Sequence, residues 1–151
     1  MTASGDPIID ALAARARALL AQAFGFYFTA QYATEHADNC MSLPFDVTPA
    51  VLVNIGFAYE LSFKAVLAAN GWDDLRLQRE LGHDLQAAMQ RAEAYELQLT
   101  PAVRETIQLL APLFARPTLR YLNFDTLELP GDRLPVLATH MQAVRDLLLV
   151  D

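Results

Sequence analysis

Three times in this chain a short polar residue is followed at once by proline and then by an apolar run: Asp6-Pro7, Thr48-Pro49 and Thr100-Pro101. Such a polar side chain accepts a hydrogen bond from a free N–H of a first helical turn. Proline in that turn has its φ already set and lacks an N–H that the helix would leave unpaired anyway. Each pair therefore predicts a helix start. With strand signals scarce throughout, three such starts commit the chain to a helical architecture.

The runs behind these starts carry helical spacing. Ile9, Leu12, Ala16, Leu19, Leu20, Ala23 and Tyr27 recur three and four apart and predict one apolar stripe on a helix from Asp6-Pro7 to about Thr34. Residues 35–47, EHADNCMSLPFDV, break the pattern and read as a loop. The second helix, opened by Thr48-Pro49, is apolar nearly all round and stops at Asn70-Gly71, which predicts a position at the centre of a bundle. Residues 71–82 read as a charged connection. Gly82-His83-Asp84 then opens a third helix carried by Leu85, Ala88, Met89 and Ala92, and a fourth runs from Thr100-Pro101 to about Phe114. Residues 115–131 contain Pro117, Pro130 and Gly131 and read as a long loop. Asp132 caps a last helix with Leu134, Leu137, Met141, Val144 and Leu148 on its stripe. The expectation is one all-α domain over residues 1–151, an up-and-down bundle of four to five helices.

Composition narrows the function classes. The chain has 151 residues, is 54% apolar and carries a net charge of −7. The apolar share argues against disorder and leaves surface for a partner. The acidic balance disfavours generic nucleic-acid binding, which needs clustered Lys and Arg. A local basic pocket stays open, because ten of the eleven basic residues are Arg, which suits bidentate phosphate contacts. Cys40 is the only cysteine, so no intrachain disulfide forms, and a reducing cytoplasm is the expected location. Asp6 and Asp10 stand where a signal peptide would be basic, and the longest uncharged run, Ala18–Thr34, carries polar groups. Neither a secretory leader nor a membrane span is expected.

Candidate chemistry concentrates around two places. Glu60 and Lys64 are four apart with Glu first, the favourable order for a helical ion pair, and their face is otherwise apolar. They read as a partly buried structural pair that faces a pocket or a subunit interface. His83 stands at a helix start, where free N–H groups disfavour a positive imidazole. A neutral histidine can act as a general base near pH 7, while Asp84 pulls towards the charged form. The alternative is a turn and cap with no chemistry. Arg76 and Arg79 precede His83, and an arginine beside a neutral base could cleave RNA without metal, the base taking the 2′-hydroxyl proton and the arginine steadying the phosphate. The plainer reading is a solvated charged loop. Glu35, His36, Asp38 and Cys40 match no zinc spacing and read as a polar loop; no metal or cofactor is expected. His140 has no partner motif.

Taken together, three segments resemble a HEPN domain, the helical domain named for nucleotide binding in higher eukaryotes and prokaryotes. FAYELSFKAVLAANG is similar to the family's glutamate-aliphatic-Lys-Ala-Leu-Leu pattern before a glycine, GHDLQAAM to its Gly-His-Asp-Leu helix start, and LRYLNFD, with Arg120 and Tyr121, to its Arg-Tyr segment before the final helix. They stand in the family's order over residues 7–149. The resemblance implies a bundle of four to five helices, often a homodimer, with a polar site near the dimer interface. On this chain that site would comprise Glu60, Lys64, Arg79, Asp84, Arg120 and Tyr121 around His83. Many members are metal-independent ribonucleases of toxin or antiviral systems, marked by an arginine and a histidine with four to six residues between them. Arg76 with His83 meets that spacing and Arg79 does not. Catalytic members usually carry a polar residue directly after the arginine, and here it is Leu77. Other members are noncatalytic binding modules. The resemblance therefore implies a noncatalytic dimeric module binding a protein partner or nucleotide. The alternative is an endoribonuclease with His83 as base and Arg76 as phosphate clamp. Expected partners are a second copy, and RNA, a nucleotide or a separate antitoxin-like protein.

Overall fold

The computed structural model describes residues 6–37, 48–114 and 133–149. Those residues form helices α1 (Pro7–Glu35), α2 (Thr48–Ala69), α3 (Asp74–Glu80), α4 (Leu85–Glu93), α5 (Pro101–Phe114) and α6 (Arg133–Leu148), with no strand among them. The protein is an all-α bundle. Residues 38–47 of the loop expected at 35–47, the loop expected at 115–131, and with them Asp38, Cys40, Arg120, Tyr121 and the expected cap Asp132, lie outside the described residues.

The local signals act as their chemistry requires. Asp6 Oδ1 accepts from the Ile8 N–H at 2.9 Å and starts α1. Ala16, Leu19, Leu20, Ala23 and Ala30 are its buried positions. They pack on α2, which runs the other way: Arg15 near the start of α1 meets Asp74 just beyond α2 at 2.7 Å, while Phe26 meets Phe57 in the first half of α2 with ring centroids 5.1 Å apart. α2 is the central helix. Val51, Ile55, Tyr59, Phe63, Val66 and Leu67 are all buried, and each such side chain removed from water is worth about 1.5–3 kcal/mol. By length and apolarity α2 could also cross a bilayer; here the bundle covers it, with 67% of its most apolar window buried.

Asn70-Gly71 stops α2 through a left-handed residue. Gly71 has φ +91°, its N–H reaches the Ala68 carbonyl, and the Trp72 N–H reaches back to Leu67 at 3.1 Å. Both bonds satisfy carbonyls that the helix end leaves open.

The segment read as a bare connection contains a helix. α3 is capped by Asp73, whose side chain accepts from the Arg76 N–H at 2.7 Å, and it closes on Gly82 with φ +53°. Leu77 and Leu81 are buried beneath it. α3 carries the chain back along the bundle, so α4 begins beside the middle of α2 (Lys64 to Gly82, 2.7 Å) and ends near its C-terminus (Trp72 Nε1 to Tyr95 hydroxyl, 3.0 Å). This short return keeps the helices alternating. α5 then runs back until Phe114 packs on Gly56 and edge-on to Phe57, 5.6 Å between centroids. Leu137, Met141 and Val144 of α6 fill the remaining side of the core.

Candidate functional site

Glu60 and Lys64 face inward from α2, one turn apart. Their side chains are 3% and 13% exposed, and Lys64 Nζ donates to Glu60 Oε1 at 2.6 Å. Lys64 also donates to the Gly82 carbonyl at 2.7 Å. That carbonyl is turned inward by the left-handed conformation of Gly82, which a residue with a Cβ adopts only at a cost. The buried pair is thus hydrogen-bonded beyond itself, the condition under which buried charge is tolerated.

His83 was expected in the first turn of its helix and stands just before it instead. Asp84 is the cap of α4, its carboxylate accepting from the Ala87 N–H at 2.9 Å, and His83 precedes that cap in the turn. The cap therefore belongs to Asp84, while the His83 ring turns towards α2. Its Nδ1 lies 3.2 Å and 3.3 Å from the two Glu60 oxygens, and its ring stands edge-on to Phe57 at 6.4 Å. A carboxylate can only accept, so Nδ1 carries the proton and Nε2 is left as the outward nitrogen. The side chain is 73% exposed.

The two arginines do not join this cluster. Arg76 lies on α3 with its guanidinium 3.7 Å above the Trp72 ring and its Nε donating to Glu80 at 2.8 Å. Arg79 is exposed in the last turn of α3, where a cation complements the helix dipole. Arg120 and Tyr121 fall outside the described residues.

Beside His83 opens a cleft of about 560 Å³ between the start of α4 and the end of α5, lined by His83, Asp84, Gln86, Gln108, Ala111, Pro112 and Phe114. Pro112 has no N–H, so the Gln108 carbonyl receives no helical bond from four residues on. The polar side chains of the lining are thus one carboxylate, two glutamine amides, which both donate and accept, and the His83 ring. No Lys or Arg is among these lining residues.

A second polar cluster lies in the core between α2, α5 and α6, and the spacing of residues had not indicated it. His140 is 3% exposed; its Nε2 meets Ser62 Oγ at 2.8 Å, and the Ser62 hydroxyl donates to the Tyr59 carbonyl at 2.7 Å. Burial lowers the His140 pKa from its usual value to about 3, so the ring is neutral. Thr106 Oγ1 donates to the Ala102 carbonyl at 2.8 Å and accepts from Arg133 at 3.1 Å. The Tyr59 hydroxyl is buried and makes no hydrogen bond of good geometry; burial pushes its pKa well up, against weaker pulls downward from Arg133 and Thr106. One signal was available: His140 sits on the same face as Leu137, Met141 and Val144, and a histidine inside an apolar stripe must be buried with a partner.

Glu35 accepts from Gln31 at 2.9 Å and the His36 ring bonds the Tyr32 carbonyl at 2.9 Å, so both side chains serve the end of α1. Among the described residues no three of His, Cys, Asp and Glu are placed to hold a metal ion. A scan against protein-family models, a search of curated proteins and a search of solved structures each found nothing that matches this chain.

Proposed function

We propose that this chain is a noncatalytic, HEPN-like helical module that forms a homodimer in the cytoplasm and binds a protein partner through the cleft beside His83. The observation that carries the reading is the chemistry of that cleft. Its described lining offers one carboxylate, otherwise uncharged polar groups and no Lys or Arg, while Lys64 is already committed to Glu60 and Gly82. Such a surface repels a phosphate and favours a donor-rich group, such as an arginine or lysine side chain of a partner. The net charge of −7 works in the same direction at long range. Arg76, the arginine a nuclease would need at the phosphate, is held by Glu80 and Trp72.

One feature favours the alternative, a metal-independent endoribonuclease. Glu60 orients His83 through Nδ1 and leaves Nε2 outward as a potential base, the arrangement by which a carboxylate sets a catalytic histidine. The two readings separate in one experiment. Wild type and His83→Ala are incubated with single-stranded RNA in chelator, and the His83 ring is followed by NMR against an arginine-containing tripeptide. Saturable ring shifts with the tripeptide, weakened in Asp84→Asn, together with cleavage no greater than that of His83→Ala, are expected. RNA cleavage that disappears in His83→Ala would overturn the noncatalytic reading.

A further inference from the structure

Two ionisable side chains line the described wall of the cleft between α4 and α5, His83 and Asp84. Histidine is the side chain whose charge changes near neutral pH. The His83 side chain is 73% exposed, so bulk water can deliver its proton and take it away. With the ring neutral, the described lining carries one charge, the Asp84 carboxylate.

The surroundings of the ring decide what a proton on it does. On α2 its partner is Glu60, 3.2 Å from Nδ1. A carboxylate at that distance ordinarily offsets the charge of an imidazolium. Here Glu60 is already matched by Lys64, whose ammonium donates to Oε1 at 2.6 Å. One carboxylate cannot neutralise two cations. Lys64, Glu60 and His83 together are therefore neutral while the ring is neutral, and positive once the ring is protonated.

The other elements leave one group to oppose that charge. α5 adds no titratable residue to the described lining. On α3, Arg76 donates to Glu80 at 2.8 Å, and Arg79 is exposed in the last turn. At the start of α4 stands Asp84, next to His83 in the chain. Asp84 is also the carboxylate that a cationic side chain entering the cleft would use. A protonated His83 and a cationic ligand thus compete for the same negative charge, and they repel each other directly.

We propose that protonation of His83 regulates the cleft: with the ring neutral it holds a cationic side chain of the partner, and with the ring charged it releases that side chain. The regulation rests on the cation-binding reading of the cleft given under Proposed function, and can fail without it. An added unit charge about 6 Å from the cation of the ligand, in surroundings between bulk water and a protein surface, weakens binding roughly three- to tenfold.

The probe is the tripeptide Ala-Arg-Ala capped at both ends. It is titrated into the full chain at about pH 8 and about pH 5.5, values on either side of the ordinary imidazole range and above that of carboxylates. The amides of Gln86 and Ala111 are read by NMR. Saturable binding at the higher pH, roughly three- to tenfold weaker at the lower, is expected. The same peptide with citrulline for arginine is uncharged and should bind alike at both values. His83→Gln, which cannot take the charge, should lose the pH dependence whatever affinity it keeps. By reciprocity, saturating arginine peptide should move the titration of the His83 ring to lower pH by roughly half a unit to one unit. Equal wild-type affinity at the two values, a pH dependence that survives in His83→Gln, or the same dependence with the citrulline peptide would each overturn the regulation and leave the cation-binding reading in place. No saturable binding at the higher pH would overturn both.

Discussion

Lys64 Nζ donates to the carbonyl oxygen of Gly82 at 2.7 Å, joining the middle of α2 to the turn between α3 and α4. The same ammonium holds Glu60, and Glu60 in turn holds the His83 ring. One buried cation therefore fixes the turn that presents His83 to the cleft.

Lys64→Met should cost about 3–5 kcal/mol, because it leaves the Glu60 carboxylate buried with only the exposed His83 as partner. Replacing both residues, as Glu60→Leu with Lys64→Met, should recover most of that loss. Urea midpoints at unchanged m-values are the measure. Single variants within about 1 kcal/mol of wild type would mean that water screens the pair.

Gly56→Ala should destabilise by about 1–3 kcal/mol through overpacking. A Cβ there would run into the Phe114 ring, which is also packed on Phe57. Phe114→Leu alone is destabilising for a different reason, lost packing. In the double variant the two costs should be clearly less than additive, since the clash disappears with the ring.

Acid should unfold this protein partly through His140. The unfolded ring gains a proton below about pH 6.5, whereas the folded ring stays neutral down to about 3. Between those values the unfolded state holds the extra proton, so this contribution to stability is complete above the unfolded value and is lost as pH falls. The slope reaches at most about 1.4 kcal/mol per pH unit. His140→Gln, which keeps a donor towards Ser62, should flatten stability against pH between 6 and 4 in urea titrations. An unchanged slope would place the titrating group elsewhere.

The wild type should sediment as a dimer at micromolar concentration, and Phe28→Glu as a monomer with undiminished helicity. Phe28 and Tyr32 of α1 are 58% and 64% exposed, and Phe28 is packed with Phe24 and Tyr27 into one aromatic face. Exposed apolar faces of this kind mark contacts. A monomeric wild-type mass would remove the dimer from the proposed function.

α3 shows why part of the fold was illegible. Seven residues make fewer than two turns, so Leu75 and Leu77 cannot establish a period, and the charges around them look like a solvated loop. The helix exists because Asp73 caps it and because Leu77 and Leu81 have a core to enter, and only the cap is a local signal.

Helix starts and the Glu60–Lys64 pair could be read from the chain because the interactions that make them span four residues or fewer: Asp6 to Ile8, Asp84 to Ala87, Glu60 to Lys64. Their geometry is set within about one helical turn. The rest was decided by packing. His83 meets Glu60 across 23 residues, and Ser62 meets His140 across 78. Arg76 stacks on Trp72 and pairs with Glu80 only because the segment between α2 and α4 is helical, which turns both towards one guanidinium. Sequence spacing places a side chain on a face of its own helix. Which neighbour that face meets, and so whether an arginine reaches a histidine or a histidine finds a serine, depends on how whole helices pack, where many apolar contacts outweigh any single polar one.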